Sequence, residues 1–299
     1  MKLQFNDTSV PYPISVIKGR LRLSGLSDKE VSEIILSVSK EIASKEKTNE
    51  VELLNLIRNC LEPKKNSVRD SFEILSKYEE LRSESDGIPP IVVIIEGASA
   101  TGKSVIAIEL VHDLLATRFI SSDTVRQILR STMSEEKYPE LFCHTYQAHQ
   151  CRQSGPDDLP PVVRGYLAQC DIITPEIVEM TKRILSEGAI GVIEGVHIPP
   201  GTLQGLSPGI VEILIHPNDE THRAMFTNKY SASKLRTVSK DIETREKEYQ
   251  AARAIQEHMM SLARGSNVHM VEMADFQEAT SAVYKIIVSN VQDIVEGVE

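Results

Sequence analysis

The sequence has no tryptophan and only 5% aromatic residues in 299. A site that stacks a nucleobase on aromatic rings has little to draw on, which counts against a nucleoside as phosphate acceptor. Positive charge is also short. Lysine and arginine number 33 against 43 aspartates and glutamates, a formal net charge of −10. A dedicated nucleic-acid binder carries a basic footprint, whereas a small anionic substrate needs only local cations. No apolar run approaches the roughly 18 residues of a membrane span. The opening Met1–Asp7 has no apolar core of a secretory leader, so the expectation is a cytoplasmic protein with neither membrane nor nucleic acid as partner.

The four cysteines (Cys60, Cys143, Cys151 and Cys170) form no C-x-x-C pair and are expected to be reduced, structural thiols. Cys143, His144, His149 and Cys151 crowd together, but their spacing matches no zinc pattern. The expectation there is buried cysteine and solvated histidine on one helix. There is no internal repeat and no low-complexity tract.

What is present centres on residues 91–104. An apolar, β-branched run, Ile91–Glu96, meets Gly97-Ala98-Ser99-Ala100-Thr101-Gly102-Lys103-Ser104, and a helix-period segment follows. This is G-x-x-x-x-G-K-[ST] in the strand–loop–helix setting that the motif requires. Its glycines let successive amides converge on phosphate oxygens, and the helix adds its positive N-terminal end. Lys103 is placed to reach the β- and γ-phosphates of a nucleoside triphosphate, and Ser104 to hold Mg²⁺.

The first 82 residues predict a small all-helical unit. Ser27-Asp-Lys-Glu30 is a capping box, followed by Val31, Ile34, Ile35, Val38 and Ile42 at helical spacing. Further helices are expected over Val51–Leu61 and Val68–Leu81. Residues 83–90 are expected to form a linker and 91–299 a second domain. There, strands at Ile91–Glu96, Arg118–Ser121, Ala189–Glu194, Ile210–His216 and Val268–Glu272 alternate with helices, the clearest being Val105–Leu115, Pro175–Glu187 and Ile242–Ala263. Thr174-Pro175 reads as a helix start. The alternation predicts an α/β fold, a five-stranded parallel sheet flanked by helices of the P-loop kinase type, with ligands at the carboxyl ends of the strands.

That rule selects candidates. Asp123 follows the second strand, able to accept a hydroxyl proton or help hold Mg²⁺, or to cap the next helix. Arg126 and Arg130, four apart, share a helix face and suit an anionic acceptor. Glu194 ends the third strand as a metal-orienting carboxylate, with Gly195 permitting close approach and His197 beside it. After the fourth strand come Arg223, Lys229, Lys234, Arg236, Arg245 and Arg253, candidate lid cations. Arg223 is favoured because it lies nearest the strand end.

These pieces occur together and in order: the phosphate loop, Ser122-Asp123…Arg126, Tyr146 in His-Thr-Tyr-Gln-Ala148, Glu194-Gly-Val-His-Ile-Pro-Pro-Gly201, Thr221-His-Arg223 with Phe226, and Arg253-Ala-Ile-Gln256. The set resembles the archaeal 2-phosphoglycerate kinase family over nearly the whole chain. Val10-Pro-Tyr-Pro13…Lys18-Gly19…Ser24-Gly-Leu26 resembles that family's ATP-cone-like helical domain. The resemblance implies ATP- and Mg²⁺-dependent phosphorylation of 2-phosphoglycerate on its 3-hydroxyl. The product would be 2,3-bisphosphoglycerate, precursor of cyclic 2,3-diphosphoglycerate. It implies catalytic roles for Lys103, Asp123 and Arg223, nucleotide contacts from 97–104, and acceptor contacts from Arg126, Arg130, Tyr146, Gly195 and His197. Ser104 and Glu194 would hold the metal. Two other readings remain: a kinase for gluconate-, shikimate- or nucleoside-type acceptors, and a non-catalytic ATP-sensing switch. Ala100 stands at a loop position often occupied by glycine and is expected at negative φ.

Overall fold

The computed structural model describes residues 2–5, 8–45, 47–233 and 241–298. Two compact units result. The first comprises Met1–Ile88 with Glu109–Ala116 and Tyr284–Glu299, and the second Pro89–Ile108 with Thr117–Val283.

The first unit opens on a feature absent from the sequence reading, an antiparallel ribbon of β1 (Lys2–Phe5) and β2 (Thr8–Pro11) with Leu3 opposite Val10. Leu3 is fully buried against α1 (Ile14–Leu23), α2 (Asp28–Ala43) and α3 (Glu50–Leu61), which share a core with Phe72 of α4 (Asn66–Glu84). Four-residue strands carry too few alternations to register as a period, which is why this region read as helical only. The capping box at Ser27 forms as expected, and Asn49 with Glu52 builds a second one at α3. Asp113, in the same unit, takes an ion pair from Arg22 at 3.1 Å and a hydrogen bond from the Tyr284 hydroxyl.

The second unit is a five-stranded, all-parallel sheet in the order β4 (Arg118–Ser121), β5 (Gly191–Gly195), β3 (Val92–Glu96), β6 (Ile210–His216), β7 (His269–Glu272). The unbroken apolar run of β3 is central and buried at every residue, as a parallel strand covered on both faces must be. The edge strand β4 leaves Phe119 exposed. Between the strands run α5 (Lys103–Asp113), α6 (Ser122–Thr132), α7 (Pro161–Ser186), α8 (Asp219–Ser233) and α9 (Ile242–Ser266), with α10 (Phe276–Glu296) last.

One helix start is corrected. Pro175 does not begin a helix; it lies inside α7, whose first-turn proline is Pro161. An internal proline forfeits one backbone hydrogen bond. Here Tyr166, Cys170, Ile173, Ile177 and Ile184 form one buried stripe across it, and tertiary packing carries the helix through. Residues 143–151 are not one helix either. They contain a short 3₁₀ turn over Thr145–Gln150, and Cys151 is exposed.

Candidate active site

The phosphate loop joins β3 to α5. Gly97, Ala100 and Gly102 have φ of 153°, 65° and 87°. Three positive-φ residues within six turn the loop's amides inward, the local geometry of an anion nest. Ala100 contradicts the expected negative φ. A methyl-bearing residue in the left-handed region is strained, and the loop holds it there. Glycine suits both Gly97 and Gly102 because of their positive φ values, and a Cβ on Gly97 would also lie 2.6 Å from Thr101 Oγ1 and 3.1 Å from the Ile215 carbonyl oxygen.

Two side chains brace this loop from far along the chain. Gln256 of α9 accepts from the Ala98 amide at 2.8 Å and donates to the Ile215 carbonyl at 3.1 Å. The Ala98 amide is therefore turned to protein, not to phosphate. His222 Nε2 lies 2.9 Å from the Ser99 carbonyl and must donate to it; burial lowers the affinity of this ring for a second proton. Lys103 Nζ donates to the Ala98 carbonyl at 3.3 Å and lies 4.0 Å from Glu194 Oε2. Ser104 Oγ donates to the same Glu194 oxygen at 3.1 Å. Hydroxyl, carboxylate and ammonium thus meet at the ends of β3 and β5. A hydroxyl beside a carboxylate is a hard-oxygen set that fits Mg²⁺.

Glu96, the last residue of β3, is fully buried with its carboxyl group against that of Glu212. Burial, then the neighbouring Glu212, pushes it well above the usual carboxylate range and holds it neutral. Glu212 accepts from the amides of Gly201 and Leu203, pinning the loop after β5.

The other half of the site is built on the start of α6. His197 is wholly buried. Its Nε2 is 2.8 Å from Gln169 Oε1 and 3.1 Å from Thr145 Oγ1, and its Nδ1 is 3.1 Å from Ser122 Oγ. Gln169 spends its amide hydrogens on the Glu140 and Cys143 carbonyls, so its oxygen faces His197 and accepts. His197 is therefore the Nε2–H tautomer, and Ser122 donates to Nδ1. Burial pushes the imidazole down to about 3, opposed by Asp123 and reinforced by Arg126 and Lys103. The ring is bonded to protein at both nitrogens and is not among the residues lining the cleft. Gly195 stands against the start of α6. A Cβ there would collide with Ser122 Oγ, so its glycine serves the approach of α6 to β5.

Asp123, Arg126, Arg130 and Tyr146 are brought together with Lys103 and Ser104 along one cleft of about 680 Å³. Arg126 is only 8% exposed. It pairs with Asp123 at 3.3 Å and donates to the Cys143 carbonyl at 2.7 Å. Arg130 lies 5.0 Å over the Phe142 ring. Tyr146 packs edge-on against Phe226 and parallel to His144.

The far wall of the cleft is α9, through Arg245, Glu248, Ala252 and Ile255. Arg223 is not among the cleft-lining residues; it pairs with Glu246 at 2.6 Å and covers the Tyr249 ring. Its place one turn into α8 aims it at the outer face of α9. Arg245, buried and bonded to the Phe226 carbonyl, lines the cleft instead. Arg253 donates to the Pro217 carbonyl and braces the turn before α8. Lys234 and Arg236 lie outside the described residues, as does the side chain of Lys229.

No family model matches the chain. It is similar along most of its length to curated archaeal 2-phosphoglycerate kinases, and the resemblance drawn from its motifs is borne out. The protein of that name from Methanopyrus kandleri is 26% identical over 301 residues, 97% of this chain and 87% of the relative. That of Methanothermobacter thermautotrophicus is 26% identical over 244 residues, 80% of this chain and 79% of the relative. That of Thermococcus kodakarensis is 22% identical over 289 residues, 95% of each. Among solved structures, TT1252 from Thermus thermophilus aligns with a TM-score of 0.41 at 18% identity, covering 67% of this chain and 97% of its own.

Proposed function

We propose that this protein transfers the γ-phosphoryl group of ATP to the 3-hydroxyl of 2-phosphoglycerate. The observation that carries the reading is one cleft with two chemically different ends. A phosphate loop with Lys103 and Ser104 forms one end, and a buried guanidinium, Arg126, beside an acceptor carboxylate, Asp123, forms the other. The extended likeness to proteins named 2-phosphoglycerate kinase supports the choice of acid.

In this reading the loop amides and Lys103 hold the β- and γ-phosphates, and transfer is chiefly positioning and charge neutralisation. The acceptor oxygen forms a bond to the γ-phosphorus as the bridge to ADP breaks, and its proton passes to Asp123. Arg126 and Arg130, with Tyr146 between the cleft walls, hold the acid's own anionic groups. Arg245 supplies cationic charge from α9. Ser104 and Glu194 would hold Mg²⁺, which when bound neutralises charge on the nucleotide phosphates. His197 positions Ser122 and hence Asp123. The first unit is a domain separate from this chemistry.

The test is ADP release from the purified full chain across 2-phosphoglycerate, 3-phosphoglycerate, glycerate, gluconate and shikimate, with Lys103→Ala as the blank. The expected result is turnover with 2-phosphoglycerate and a bisphosphorylated product by phosphorus NMR. Turnover with another acid instead would reassign the acceptor. ATP binding without turnover on any acid would make the protein a nucleotide-sensing switch.

A further inference from the structure

Cys143 and Cys151 form a thiol pair that the proposed phosphoryl transfer does not use. Their Sγ atoms lie 3.9 Å apart. Cys151 is exposed, while Cys143 is half-buried and lines the cleft. The Cys143 carbonyl is what holds Arg126, through the 2.7 Å bond from Nη1, and it also takes a longer bond from Gln169. The backbone leading to Cys151 is less free to move. A Cβ on Gly165 of α7 would overlap the His149 backbone, and the Cys151 amide donates to the Ala148 carbonyl at 2.9 Å.

We propose that Cys143 and Cys151 are a redox modification site, closing to a reversible disulfide that loosens Arg126; the functional half of this rests on reading Arg126 as an acceptor-binding residue. A disulfide brings its sulfurs to about 2.05 Å, so the pair must close by roughly 2 Å from where it stands. With the 145–151 turn packed on α7, the displacement falls on Cys143 and on the carbonyl that anchors Arg126.

The co-reactant is a low-molecular-weight disulfide. The exposed Cys151, as thiolate, attacks one of its sulfurs; that S–S bond breaks, one small thiol leaves and a mixed disulfide forms. Cys143 Sγ then attacks Cys151 Sγ, gives up its proton to water and expels the second small thiol. Two protein thiols are oxidised by two electrons and the small disulfide is reduced to two thiols. Burial, then the neighbouring Cys151, pushes the Cys143 thiol up to about 12, so it is the resolving partner and Cys151 the entry point.

The experiment incubates the full chain in oxidised and reduced glutathione and maps disulfides by mass spectrometry under non-reducing conditions. The expected link is Cys143–Cys151, reversed by dithiothreitol. In the bridged protein, phenylglyoxal should modify Arg126 about tenfold faster, the equivalent of losing one hydrogen bond to a charged group. The KM for 2-phosphoglycerate should rise by a similar factor while that for ATP stays unchanged. Cys151→Ser, at an exposed position outside the cleft, should keep basal activity and lose the response. A stable glutathione adduct, a bridge to Cys60 or Cys170, or a bridge between two chains would overturn the site. A Cys143–Cys151 bridge that leaves Arg126 reactivity unchanged would overturn the coupling. Mapping and arginine modification need no turnover, so failure of the bridge and failure of the proposed reaction are read separately.

Discussion

His197 Nδ1 stands 3.1 Å from Ser122 Oγ, and through that bond the loop after β5 fixes the first turn of α6. Asp123 is the next residue and Arg126 lies one turn on, so the geometry of the proposed acceptor end depends on a buried ring that stands behind it. His197→Gln should lower kcat with the acceptor and leave ATP binding intact. The sign of its pH effect follows from its direction. The folded ring is held neutral down to about pH 3, whereas an unfolded histidine protonates near 6.5. The stability it contributes is complete above about 6.5 and is lost as pH falls toward the folded value. An NMR titration should show no His197 midpoint between about pH 5 and 9, and a midpoint inside that window would contradict the buried relay.

Asp123→Asn retains the shape of the side chain and removes its capacity to take a proton. A positioned proton acceptor contributes on the order of 10² to 10⁴ in rate. The expected outcome is a kcat loss in that range with little change in the KM for ATP. Full kcat in steady-state kinetics would leave Asp123 as the partner of Arg126 and nothing more.

Ala100 at φ 65° makes a prediction of opposite sign for two small substitutions. Left-handed backbone costs a non-glycine residue roughly 1–2 kcal/mol, and glycine returns about 0.4–1 of that through the unfolded chain. Ala100→Gly should therefore stabilise the protein by about 0.5 kcal/mol. Ala100→Val, β-branched at positive φ, should destabilise it by more. Denaturant titration of both variants checks this, and a stabilising valine would mean the loop is not strained there.

Glu96 is held neutral by burial, so its contribution runs the other way from that of His197. Stability is fully present below the unfolded carboxylate value of about 4.3 and falls by about 1.4 kcal/mol per pH unit above it, until the folded group ionises. Glu96→Gln keeps the volume without the titration. The difference in unfolding free energy between the variant and the natural chain should grow with pH across the neutral range. A difference independent of pH would show that Glu96 is already ionised.

A chain beginning near Asp86 retains the whole cleft. We expect it to bind ATP by calorimetry with a lowered Tm, because Asp113 loses its ion pair with Arg22. Two tight ATP sites in the full chain against one in the shortened chain would assign a nucleotide to the first unit. A shortened chain that binds none would refute the boundary.

The parts of the site that were legible in the sequence are those where the information is local. Residues 97–104 carry their own spacing, and the run Ile91–Glu96 announces a doubly covered strand. Asp123 and Glu194 follow from the rule of strand ends. What stayed hidden is set by long-range packing. Gln256 reaches Ala98 across 158 positions and His222 reaches Ser99 across 123; both stood inside quoted motifs, yet no local pattern says what an amide or an imidazole will brace. Arg245 against Arg223 is decided by which face of α9 meets the cleft. Pro175 misled because a strong local signal was overruled by the buried stripe on either side of it.

The central strand has a consequence for how the molecule is made. Val92 pairs with Gly191 on one side and with Ile210 on the other, so β3 has no partner close to it in sequence. Contacts of such separation close slowly, since the intervening chain must be ordered before they form. During synthesis the most apolar strand of the protein emerges about a hundred residues ahead of either neighbour. The phosphate loop at its end leans on Ile215 through Gly97 and Gln256, and Gln256 emerges later still. A ribosome-bound chain that stops before α9 therefore holds an intact loop sequence without the brace that shapes it. ATP affinity should appear in such a series only after residue 256 has cleared the exit tunnel.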